Sequence, residues 1–244
     1  MRRLLFVLFA ALPLFAASEL TVDLKFVPQE GVQSSSPDLA PSVLDRSVRI
    51  VVEDGRGGDD ALAIGKGTDD DDRAFPIRAT TAVLPYLAAT SHEVAEEWGI
   101  RTSDRSERVL TLHFTRFFVD ESNKALGSVY AAEVKLTFTL AEGRKLLAEG
   151  AASGSAHRYG RAKSADNANE VLSDALKETL ANTFGDSRLQ RAWASGKAAP
   201  GTSRVKEPAE SAEQRLRKLD ELRKKGLITK EEYDRKRAEI LGEL

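Results

Sequence analysis

The chain of 244 residues contains no cysteine. Disulfides, thiolate metal sites, a cysteine nucleophile and a lipid-modified cysteine are therefore excluded. Histidine occurs three times, as His92, His113 and His157, with no HExxH motif or other paired spacing, so zinc is unsupported. Neither charge is in large excess: 36 Lys+Arg stand against 38 Asp+Glu, a net charge of −2. That balance speaks against a nucleic-acid partner, whose capture rests on clustered cations neutralising phosphates. After residue 18 no stretch is apolar enough to cross a bilayer, which takes about 20 apolar residues. With 41% hydrophobic and 30% charged residues, the composition is globular rather than disordered.

The leader comes first. Residues 1–18, MRRLLFVLFAALPLFAAS, open on Arg2 and Arg3, run apolar from Leu4 to Leu12, break at Pro13 and end in Ala16-Ala17-Ser18. A positive start, an apolar middle and small residues at the end form the three-part layout of a secretory signal peptide. Cleavage there implies an exported, periplasmic protein.

Alternation then predicts strands at 20–27 (Leu20, Val22, Leu24, Phe26) and at Val48, Ile50 and Val52, the second ending in the turn Asp54 to Gly58. A short strand is expected over 61–65, before the acidic run Asp69 to Asp72. Leu110, Leu112 and Phe114 mark another strand, followed by a polar turn around Asp120 to Lys124. Tyr130 to Leu140 alternates over the longest run, and Glu142-Gly143 reads as a hairpin turn into 145–159. That last strand is rich in Gly, Ala and Ser, which lets a helix approach closely.

Helical spacing appears twice. Val83, Leu84, Leu87, Val94, Ala95 and Trp98 share one face, with Pro85 in the first turn and Gly99 just past the end. Ala168, Val171, Leu172, Ala175, Leu176, Leu180 and Phe184 form a second stripe, closed by Gly185. The expected fold is α/β of the α+β type: a mostly antiparallel sheet packed by two long amphipathic helices, then a short two-helix C-terminal module. Its parts are a signal peptide at 1–18, an α/β domain at 19–193, a Pro/Gly linker at 194–210 and a helical hairpin at 211–244. In the hairpin, Thr229 and Glu232 make a capping box. Ten basic and nine acidic residues mix between 210 and 243, as on a solvated helix surface.

Two resemblances follow from these residues. The leader, the Arg46 to Arg56 strand and turn, the Ile64-Gly65 pair, the 81–98 helix, the hairpins and a closing helix through Leu189 to Trp193 together resemble the YajG-like envelope lipoproteins. That resemblance implies an α/β domain without assigned catalytic residues. The family carries a lipidated cysteine at the cleavage site, where this chain has Ala and Ser, so no lipid anchor is implied. The tail, with Gly226-Leu227-Ile228-Thr229, Glu231-Glu232-Tyr233 and Lys236 to Leu241, resembles the SHOCT module. This implies an interaction or oligomerisation element, whose apolar stripe is Leu216, Leu219, Leu222, Leu227, Ile228, Tyr233, Ile240 and Leu241.

Candidate chemistry is sparse. Asp69 to Asp72 has neither the alternating ligands nor the central glycine of an EF-hand loop, so it reads as a solvated acidic loop, with Asp54, Asp59 and Asp60 nearby. Gly65-Lys66-Gly67-Thr68 lacks the upstream glycine of a phosphate loop and reads as a turn. Ser153 and Ser155 lie near His157 on one strand, but no nucleophile elbow surrounds them. Trp98 and Trp193 are expected in the core. No catalytic residue, cofactor or metal is expected. The chain reads as a non-catalytic envelope protein whose tail binds a second copy or another envelope protein; the alternatives are a small-ligand module with a cleft between sheet and helices, or an unrecognised hydrolase.

Overall fold

In the computed structural model, residues 19–29, 36–58, 60–69, 71–124, 126–195, Tyr233 and Arg237 are described. The leader and most of the tail, including Leu216, Leu219, Leu222, Leu227, Ile228, Ile240 and Leu241, lie outside them. The chain divides into two units, Met1–Gly201 and Thr202–Leu244. In the second, Tyr233 and Arg237 are helical.

The first unit runs β1 (Leu20–Val22), α1 (Pro41–Leu44), β2 (Arg49–Asp54), β3 (Ala63–Thr68), β4 (Ala74–Ala79), α2 (Val83–Glu97), β5 (Arg108–Lys124), β6 (Gly127–Glu142), β7 (Lys145–Gly160), α3 (Ala165–Phe184) and α4 (Ser187–Ser195). One sheet takes all seven strands in the order β1-β4-β3-β5-β6-β7, with β2 also beside β5. It is mixed, where a mostly antiparallel sheet was expected: β1 runs parallel to β4, and both β2 and β3 run parallel to β5. The two long helices are joined by the short α1 and by α4, which also takes in Ala194 and Ser195 from the expected linker.

Alternation sorts the sheet's faces. Tyr130, Ala132, Val134, Leu136, Phe138 and Leu140 of β6 are buried, and Ala131, Lys135, Thr137 and Thr139 between them are exposed. The helices cover the buried face. All seven residues of the α3 stripe are buried, and Ser164 caps its start by accepting from Asn167 N at 3.3 Å. Gly154 of β7 faces α3, where a Cβ would lie 2.4 Å from Ala175 O and 2.6 Å from Thr179 N. The small-residue strand thus does admit a helix backbone. Pro85 falls in the first turn of α2, and Gly99 beyond its end has φ +80°. Leu84 departs from the expected face and is 37% exposed.

Three local expectations are corrected, and one further strand, β4, joins the sheet. The first strand stops at Val22, because its partner β4 ends at Ala79. The backbone beyond bonds instead to α3 side chains: Lys25 N to Asn169, Val27 N to Ser173 and Gln29 N to Asp174. Gly65 to Thr68 is a strand rather than a turn; its glycines admit the Val119 carbonyl and the Phe75 ring, each about where a Cβ would be. β4 carries Pro76, which discourages a strand assignment. Yet β1 begins opposite Ile77, so the proline nitrogen loses no ladder partner there. Finally, Asp120 to Lys124 continues β5, and the reversal comes between Lys124 and Gly127. Those polar side chains have tertiary partners: Asp120 pairs with Lys66 at 3.6 Å, and Glu121 accepts from Lys163 N at 2.6 Å.

Candidate functional site

β5 is long enough to take two neighbours on one side. β2 pairs with it as far as Asp54↔Phe114, and β3 starts at Gly65↔Val119. Between them β5 carries a bulge at Phe114/Arg116, opposite Lys135 of β6. A bulge bends its strand and leaves ladder groups unpaired. Here it coincides with a cleft of about 450 Å³ lined by Asp54, Arg56 to Gly58, Asp60, Ala61, Ala63 and Thr115 to Phe118. The cleft thus opens at the carboxyl end of β2, where strands part and ligands of α/β sheets commonly bind.

The loop over the cleft is held by Arg56. Its Nε and Nη2 donate to Asp54 at 2.8 and 2.7 Å, while Nη1 and Nη2 reach Ala63 O and Ala61 O at 3.0 Å. The guanidinium holds the Asp54 carboxyl below its ordinary 3.8. Arg116 sits 2.6 Å from Glu133 and 4.6 Å over the Phe118 ring. Asp60 pairs with Arg78 at 3.0 Å. Both arginines at the cleft are therefore neutralised from within the chain. Beside these paired groups the lining offers backbone, Gly57, Gly58, the Thr115 side chain and Phe118. A smaller groove of about 300 Å³ lies between Asp23 to Val27 and the start of α3, lined by Asn169 and Glu170; it matches the expected sheet-and-helix position more nearly.

The singled-out residues are dispersed. His113 places Nδ1 3.3 Å from Glu53, and its Nε2 lies against Gly55, where a Cβ would be 2.0 Å away. His92 is half-buried on α2. Ser153, Ser155 and His157 share the exposed face of β7, as their spacing implies. The neighbouring backbone is taken up by α3: Ser155 N donates to Glu178 at 2.7 Å, and Ser153 O accepts from Asn182 at 2.8 Å. Among the described residues, no serine hydroxyl bonds to a histidine. Asp69 accepts from Asp71 N and Arg73 N at 3.0 and 2.9 Å, so its carboxylate closes the β3–β4 turn. Trp98 and Trp193 are buried and both lie against Phe184, with ring centroids 5.9 and 6.5 Å from it. Of the tail stripe, Tyr233 is described, and it is half-buried.

The cleft was not singled out in the sequence, although a signal existed. Buried positions on β5 run Leu110, Leu112, Phe114 and then Phe117, Val119, so the parity flips where the bulge falls. Among the described residues no helix is long and apolar enough to cross a membrane.

No curated protein matches the chain. Among solved structures it is similar to a DUF330-family protein from Xanthomonas campestris, at 12% identity and a TM-score of 0.46, covering 74% of this chain and 100% of that one. It is also similar to a variant PelC dodecamer from Paraburkholderia phytofirmans, at 14% identity and 0.29, covering 60% and 94%. A third similarity is to a neuraminyllactose-binding hemagglutinin homolog from Helicobacter pylori, at 9% and 0.30, covering 70% and 97%. Residues 214–241 match the SHOCT family, a short C-terminal domain.

Proposed function

We propose that this is a non-catalytic protein of the cell envelope, exported through residues 1–18, whose α/β unit is a scaffold and whose tail brings copies of the chain together. The observation that carries the reading is the SHOCT match at 214–241. A helical hairpin of that length buries too little to stand alone, since chains below about 40 residues rarely fold without a disulfide, a metal or a partner. This chain has no cysteine for a disulfide. A partner therefore completes the core around Leu216, Leu219, Leu222, Leu227, Ile228, Tyr233, Ile240 and Leu241. A second copy is our reading of that partner, and another envelope protein is the variant of it. Interleaved acids and bases in the tail disfavour a membrane surface. YajG-like kinship of the α/β unit rests on the order of its elements.

The dispersal of His113, His157 and the serines supports a scaffold rather than a hydrolase. The test is Leu219→Asp with Leu222→Asp in the full chain. Self-association should be lost while the melting of the α/β unit is unchanged. Unaltered association would overturn the assignment to the tail.

A second reading, a small-ligand module, is favoured by the cleft between β2 and β3. It would use Phe118 and the Gly57-Gly58 loop. Filling the cleft by Gly57→Trp should abolish ligand-induced stabilisation in a screen of small metabolites, and a wild-type chain that no compound stabilises would remove this reading.

A further inference from the structure

Among the described residues, no strand lies beside the outer edge of β2. Val48, just before it, turns both backbone groups outward: its N–H donates to Arg101 O at 3.0 Å and its C=O accepts from Ser103 N at 2.9 Å. Gly55, just after it, points its N–H inward to Phe114 O at 2.8 Å. Strand alternation between these fixed points turns the N–H and C=O of Ile50 and Val52 outward as well. Among the described residues no backbone group meets them from that side. No proline, lysine or bulge lies between Arg49 and Glu53, and Ile50, Val51 and Val52 are β-branched residues that favour pairing.

The side chains on the open face are Arg49, Val51 and Glu53. Arg49 is exposed and has no ion-pair partner among the described residues. Glu53 has a side chain 56% exposed and faces His113 through Oε2, which leaves Oε1 open. A cation and an anion thus stand two residues either side of Val51.

We infer that β2 pairs antiparallel with β2 of a second copy of this chain, about a two-fold axis through Val51. In that register Ile50 exchanges both backbone hydrogen bonds with the partner's Val52, and Val52 does so with the partner's Ile50. Arg49 faces the partner's Glu53, and Glu53 faces the partner's Arg49. The strand is self-complementary, as a two-fold interface requires. A parallel pairing in register would set arginine against arginine and glutamate against glutamate, which is destabilising. The ladder is confined to Ile50–Val52, because Thr102 bridges Val48 and Ser103 N already takes the Val48 carbonyl. So short a ladder does not hold two chains together at low concentration. The contact goes beyond the tail-mediated association proposed above, and that association would raise the local concentration at which the edges meet.

The absence of native cysteine makes the test clean. In the full chain, Val51→Cys introduces a sole thiol at the two-fold axis, where opposed Cβ atoms come close. Glu149→Cys on the exposed face of β7 is the comparison. Under mild oxidation Val51→Cys should form disulfide-linked dimer about tenfold faster than Glu149→Cys. Adding Arg49→Glu, or Glu53→Arg, should slow it about tenfold, since two symmetric pairs turn repulsive at once. Adding both should restore the rate by exchanging the charges. Equal rates at the two positions, or no rescue by the exchange, overturn the inference. An edge reserved for a foreign strand would also leave purified Val51→Cys unlinked, and so would overturn it. Sedimentation of the Leu219→Asp, Leu222→Asp chain reports on the tail separately, so failure of one idea is distinguishable from failure of the other.

Discussion

Arg108 donates from Nη1 to the backbone carbonyl of Trp193 at 2.6 Å, tying the start of β5 to the end of α4. Its Nε reaches Glu142 across the hairpin at 3.0 Å, and the side chain is 9% exposed. Hydrogen bonds from a charged donor contribute about 1.5–3 kcal/mol each. Arg108→Met should therefore lower the unfolding free energy by about 2–4 kcal/mol and loosen α4 first. Amide exchange at 187–195 checks this. Protection there equal to wild type would place the anchoring of α4 elsewhere.

Gly154→Val sets strand propensity against packing. Valine is the better strand residue, but its Cβ would meet Ala175 O and Thr179 N at 2.4 and 2.6 Å. Both are backbone atoms of α3, so neither can swing aside. Overpacking of this kind costs about 1–3 kcal/mol. Thermal melting should show a lower Tm, and an unchanged or raised Tm would contradict the close approach of α3.

The Arg56–Asp54 pair gives stability a specific pH dependence. Its hydrogen bonds hold the Asp54 carboxyl below 3.8 in the folded chain. A depressed acid stabilises the fold above its unfolded value and loses that contribution as pH falls through the folded one. Asp54→Asn should cost about 1 kcal/mol near neutral pH. The difference from wild type should shrink as pH drops below the ordinary carboxylate range. Urea denaturation at a series of pH values checks it. A difference unchanged down to about pH 2 would show that the ionised pair is not its source.

The leader reading has its own outcome. Mass spectrometry of the protein recovered from the periplasm should show an N-terminus within a few residues of Ser18. Ser18→Cys should acquire no lipid, because Phe15 stands where a lipobox prefers leucine. Uncleaved chain in the inner membrane would count against both the cleavage and the compartment.

What was legible in the sequence was which way side chains face. The runs at 110–114 and 130–140 and the stripe from Ala168 to Phe184 declare their buried sides, because burial imposes period 2 or 3.6 directly on residue type. Neighbours in the sheet are not written that way. Ile50 and Val52 alternate identically whether β2 runs parallel or antiparallel to β5, so alternation does not distinguish a mixed sheet from an antiparallel one. In β4, Pro76 sits within the Phe75, Ile77, Ala79 alternation and masks it. Asp120 to Lys124 reads as a turn by its polarity, which in fact serves Lys66 and the Lys163 amide, partners distant in the chain. The cleft depends on where β2 stops and β3 starts along β5, at Phe114 and Val119, a relation between strands that their own sequences do not state. The parity flip at Phe114 and Phe117 marks the bulge but not the opening beside it.

The central claim is that the tail joins copies of a chain whose α/β unit folds independently of that contact. Sedimentation velocity of the full-length protein, beside the Leu219→Asp, Leu222→Asp variant at the same low concentration, tests it most directly. The account predicts a species larger than monomer for the wild type and a monomer for the variant, with the same melting of the α/β unit. A wild-type chain that sediments as a monomer at every concentration reached, with the variant indistinguishable from it, would contradict the account.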